Sequence, residues 1–122
     1  MTLPKIYAQL VEAGVSGFDG GWMPIDFKFL EQVTDDDDND CLGSLDYDAG
    51  ICYLKSTVSD SVAIETLTHE IFHWILTNCG LDDEENDKVF SVKNEELATK
   101  VSRSFLLFKR LNPKLCEILF KW

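Results

Sequence analysis

His69 and His73 are the only two histidines in the chain; four residues separate them, and Glu70 directly follows the first. On a helix, positions i and i+4 share a face one turn apart, so both rings can aim at a single point. Two imidazoles at that spacing can hold a zinc ion. Glu70 is rotated by about 100° from His69, too far round for an equivalent ligand but near enough to reach a water at that ion. Zinc lowers the pKa of such a water, and a carboxylate can take its proton as the oxygen attacks a carbonyl. The run His69-Glu70-Ile71-Phe72-His73 is thus the HExxH motif, read through its chemistry. The plainer alternative is two core histidines hydrogen-bonded to neighbours. Against it stands the setting: the helix is apolar nearly all round between Leu67 and Leu76, and unpartnered polar groups are costly there.

A catalytic zinc site takes a third protein ligand and leaves its fourth position to water. With no further histidine, that ligand must be a carboxylate or a cysteine. The stretch NEELATKVSRSF, residues 94 to 105, offers Glu95 and Glu96 on a helical pattern. Glu95 shares a face with Ala98, Thr99, Ser102 and Leu106, which suit close packing on the central helix. Glu96 shares one with Lys100 and Arg103, which suit solvent and i,i+4 pairing. The face argument therefore favours Glu95. Acidic residues between 82 and 87 are weaker choices, since a loop fixes geometry less firmly. Cys79, six residues past His73, is turned away from the ligand face.

The elements that must hold these groups can be read along the chain. Leu3 to Ala13 has helical spacing, with Gly14 as its stop, and a glycine-rich turn follows at residues 17 to 21. Ile25, Phe27 and Phe29 alternate with Asp26 and Lys28, the period of a strand with one buried face. DDDDND, residues 35 to 40, reads as a solvated loop. Residues 41 to 56 read as a hairpin turning at Asp48, Ala49 and Gly50. Ser59 or Asp60 can cap the motif helix, expected from about Val62 to Asn78, with Gly80 as its stop. Residues 81 to 88 read as a polar loop. A third long helix should start between Val89 and Glu95, with Ser91 or Asn94 as cap, and run to about Arg110. Asn112-Pro113 breaks it before a short helix from Lys114 to Phe120.

The whole chain, 122 residues with 45% hydrophobic content, fits a single domain over residues 1–122 with a real core. Its net charge of −11 speaks against nucleic acid or anionic membrane as partner, and is compatible with a basic protein or peptide. MTLPKIYAQLVEAG lacks the pattern of a signal peptide, and no apolar run is long enough to span a bilayer. The expectation is a cytoplasmic protein with reduced thiols. Cys41, Cys52, Cys79 and Cys116 show no CxxC spacing and read as small packed side chains. Trp74 and Trp122 read as packing, Trp122 less firmly because it ends the chain.

HExxH on one helix, followed 22 residues after its second histidine by a glutamate on the next, resembles the gluzincin type of zinc metallopeptidase. The small size, the hairpin directly before the motif helix and the run TLTHEIFHW resemble the compact minigluzincin-like proteins of phages and bacteria, related in plan to ImmA/IrrE-type peptidases. In those the glutamate lies in an ExxA-like stretch, which Glu95-Glu96-Leu97-Ala98 matches with Glu95 first. The resemblance covers roughly residues 41 to 113. It implies an α+β fold: a small, mainly antiparallel sheet packed on the central HExxH helix, with a second long helix carrying the Glu ligand. It also implies an extended peptide adding to the sheet's edge strand above the metal, with the edge inside the 41–56 hairpin. On this reading the chain is a Zn2+-dependent endopeptidase of narrow specificity. His69, His73 and Glu95 are its ligands and Glu70 its general base. Tyr47 and Tyr53 are the groups available to stabilise an oxyanion. The alternative is a catalytically weak or inactive zinc-binding protein, a phage or bacterial interaction factor working through its acidic surface.

Overall fold

A computed structural model describes residues 2–80 and 94–121. Expectations that fall on residues 81–93, including Ser91 as a helix cap, and on Trp122 lie outside the described residues.

Ile6, Tyr7 and Leu10 recur at helical spacing and form the buried side of α1 (Lys5–Glu12). The Tyr7 hydroxyl donates to the Ala63 carbonyl at 3.1 Å, and the Lys5 amide donates to Asp60 Oδ1 at 2.7 Å. Both bonds tie α1 to the start of α2 (Asp60–Asn78), the motif helix. Ser59 caps α2, its side chain accepting from the Val62 amide. Gly80 takes φ +76° just past the C-terminal end, the left-handed conformation that glycine adopts most readily.

The short strands are β1 (Gly17–Asp19), β2 (Pro24–Leu30), β3 (Val33–Thr34), β4 (Asp40–Cys41), β5 (Gly43–Asp46) and β6 (Ile51–Lys55). Four of them form one sheet in the order β1-β2-β6-β5, while β3 and β4 pair separately. The pairings β1–β2 and β5–β6 are antiparallel. The architecture is thus α+β with a small, mostly antiparallel sheet.

Three details differ from the sequence reading. The central pairing, β2 with β6, is parallel, with Asp26 opposite Ile51 and Leu30 opposite Lys55. Parallel neighbours need a crossover, and residues 31 to 50 supply it. Gly17–Asp19, expected as turn, is a strand. The acidic run also has internal order: Asp35 Oδ1 accepts from the amides of Asp37 and Asn39, both at 2.9 Å, so residues 35 to 39 turn the chain between β3 and β4.

Alternation then decides what faces the core. Cys52 and Leu54 of β6 are fully buried, and Phe27, Phe29 and Leu45 pack on the same cluster. From α2 the cluster takes Ala63, Leu67, Ile71, Trp74 and Ile75. α3 (Asn94–Leu111) adds Phe108, and α4 (Pro113–Leu119) adds Leu115, Cys116 and Leu119. Trp74 is packing, as expected: it is 1% exposed and donates from Nε1 to the Gly20 carbonyl. Among the described residues no helix is long and apolar enough to cross a membrane.

Candidate functional site

Rotation along α2 sorts the motif. Ala63, Thr66, Leu67, Glu70, Ile71 and Trp74 recur at spacings of three and four and make the buried stripe. Glu70 therefore enters the protein, at 5% exposure, while His69 is exposed and His73 half-buried on the adjoining flank. The two rings meet nearly edge to face, with Nε2 3.1 Å from Nε2 and planes at 77°. Zn–N bonds of about 2.0–2.1 Å at tetrahedral angles put two ligand nitrogens roughly 3.3 Å apart. The imidazole pair therefore fits a zinc ion almost as it stands. At 3.1 Å, one nitrogen can equally donate a hydrogen bond to the other.

Burial pushes the Glu70 carboxyl above the usual carboxylate range, and the neighbouring His73 and His69 offset part of that shift. The acid belongs to a wider buried group. Burial and the Glu70 charge together raise the Cys52 thiol, while burial, Cys52 and Glu70 raise the Tyr7 phenol. Among the described residues no lysine or arginine pairs with Glu70. A carboxyl whose pKa is raised by burial holds a proton more firmly than a free glutamate, and this one lines the cavity beside His69.

The edge strand approaches this carboxylate closely. β5 is the terminal strand of its sheet and crosses α2 at Gly43. A Cβ on Gly43 would stand 2.8 Å from Thr66 Cγ2 and 3.2 Å from Glu70 Oε1. Only a residue without a side chain lets strand and helix come this near. A cavity of about 310 Å³ opens beside them, with His69 and Glu70 in its lining. Gly43 was not singled out from sequence, although a glycine inside a strand pattern is a signal of close backbone approach.

The remaining expected site residues are distributed as follows. Tyr47 donates to Thr77 Oγ1 at 3.2 Å, and Thr77 lies one turn beyond His73 on α2. Tyr53 alternates with Cys52 and Leu54, which face α2, so it stands on the other face of the sheet and is removed as an oxyanion partner. Cys79 is engaged by α3, with Sγ 3.1 Å from Ser104 Oγ. Glu95 and Glu96 are both exposed on the first turn of α3, Glu96 pairing with Lys100 at 3.3 Å as expected.

The face argument for Glu95 needs correction. The packed side of α3 is Val101, Ser104, Phe105 and Phe108, whereas Ala98, Ser102 and Leu106 are exposed. Phe105 lies level with Phe72, its ring 6.3 Å away. Glu95 is ten residues earlier, about 15 Å along the helix axis. The structure brings His69, His73 and Glu70 together and does not bring Glu95 to them. Among the described residues no group of three His, Cys, Asp or Glu stands close enough to hold a metal ion.

No protein-family model, curated protein or solved structure matches this chain.

Proposed function

We propose that this chain is a zinc-dependent peptidase of narrow specificity, with His69 and His73 as metal ligands and Glu70 as general base. One observation carries the reading: two Nε2 atoms converge to 3.1 Å beside a buried carboxylate under an edge strand. When bound, the ion supplies Lewis acidity and a lowered water pKa. Glu70 takes the proton of the attacking water at its carboxylate and returns it to the leaving amide nitrogen. Among the described residues β5 pairs with β6 alone, and its outer edge is the one that would pair with an extended substrate backbone. Tyr47, whose hydroxyl donates to Thr77 one turn beyond His73, is the phenol offered for the developing oxyanion and would have to exchange that bond to serve it.

Glu95 is the third ligand assigned from the sequence. Loss of zinc affinity in Glu95→Gln but not in Glu96→Gln tests that assignment.

The decisive variant for the chemistry is Glu70→Gln. It should retain zinc and cleave peptides at least 100-fold more slowly, the lower range for a lost general base. Zinc-loaded wild type that cleaves no peptide in a broad library would overturn the enzymatic reading. A Glu70→Gln protein with full biological effect would favour the non-catalytic zinc-binding alternative.

A further inference from the structure

The cavity beside the imidazole pair has a lining that selects its occupant. Residues 41–43 form one side, just ahead of and entering the edge strand, and the first half of α2 forms the other. Leu42 and Val62 supply apolar surface, and Thr66 approaches Gly43 between them. Glu65 lies one turn before His69 on α2 and is exposed. The ion pairs among the described residues join Lys100 to Glu96 and Lys121 to Glu117, so Glu65 has no basic partner there. At about 310 Å³ the space is at the small end for a ligand pocket and holds one long side chain.

The geometry points to this cavity as the side-chain pocket that makes the enzyme select a lysine or arginine next to the cleaved bond, with Glu65 as the specificity-determining residue. This rests on the peptidase reading proposed above. A basic side chain matches both halves of the lining. Its methylene stem covers Leu42 and Val62, and its charged head reaches the Glu65 carboxylate. The surrounding field has the same sign. Besides burial, the carboxylates of Asp35, Glu70 and Asp40 push up the Cys41 thiol in the pocket wall. An acidic side chain would meet Glu65 and Glu70 with no cation from the lining. A plain aliphatic chain fills the stem region and leaves Glu65 in water. The net charge of −11 draws basic segments toward the site before they dock.

The test uses an alanine-based peptide carrying one central lysine and its twin with norleucine, which keeps the stem and lacks the charge. Zinc-loaded wild type should cleave beside the lysine with kcat/KM roughly tenfold above the twin, as one charge-assisted hydrogen bond allows. Glu65→Gln should bring that ratio close to one, and Glu65→Lys should turn preference toward a glutamate peptide. Calorimetry on zinc-loaded Glu70→Gln provides a readout without turnover: tighter binding of the lysine peptide, lost in the Glu65→Gln/Glu70→Gln double variant. Cleavage with equal rates for both twins, or a lysine preference that survives Glu65→Gln, overturns the pocket and leaves the peptidase standing. No cleavage together with Glu65-dependent lysine binding supports the pocket, and the broad peptide library decides the peptidase. No cleavage and equal binding overturns the pocket.

Discussion

Glu70 is where the account is most exposed to measurement at the scale of one residue. Its carboxyl is buried and its pKa raised, mainly by desolvation. In the unfolded chain a glutamate titrates near 4.3. Below that pH both states hold the proton, and burial of the neutral acid carries no charge penalty. As pH rises through the unfolded value and then the folded one, the unfolded state loses its proton first. The metal-free protein therefore loses stability at this residue with rising pH. Glu70→Gln removes the ionisation. In metal-free protein at pH 7–8 it should melt a few degrees higher than wild type, with no gain below about pH 4. Thermal melts across pH check this, and an equal gain at all pH values would refute the electrostatic assignment. The motif's convergence was legible because i,i+4 spacing alone brings two rings together. The burial of Glu70 was not, since it depends on which side of an almost uniformly apolar helix the sheet covers.

At the scale of elements, the approach of β5 to α2 positions that carboxylate, and Gly43 permits it. Gly43→Val places carbon where Thr66 and Glu70 already lie. It should cost about 1–3 kcal/mol of stability and lower peptide cleavage by more than the loss of folded protein explains. Melting and specific activity measured on the folded fraction separate the two effects; unchanged activity would show that strand and helix are not in register for catalysis. Most elements could be read from local signals. Ser59 and Gly80 bound α2, and the turn at Asp48 to Gly50 joins β5 to β6. The parallel β2–β6 pairing could not be read, because alternation names a buried face and never a neighbour. α3 misled for a related reason. Ala98, Thr99 and Ser102 suit packing by size, but Phe105 and Phe108 bury far more apolar area and turn the helix their way. The cavity was invisible in sequence, since it joins residues 41–43 to residues 62–70 only after folding.

At the scale of the molecule, among the described residues, the four-stranded sheet and helices α1, α3 and α4 hold the central helix α2 by its buried stripe. The flank with the two imidazoles is left facing outward beside an edge strand. Everything proposed for function depends on that flank binding metal. The direct measurement is zinc titration by calorimetry, paired with melting, on wild type, His69→Ala and His73→Ala. The expected result is one zinc per chain, a melting temperature that rises with zinc concentration, and a loss of at least roughly 100-fold in affinity for either alanine variant. Wild type that takes up no zinc, or alanine variants that bind it as wild type does, would contradict it.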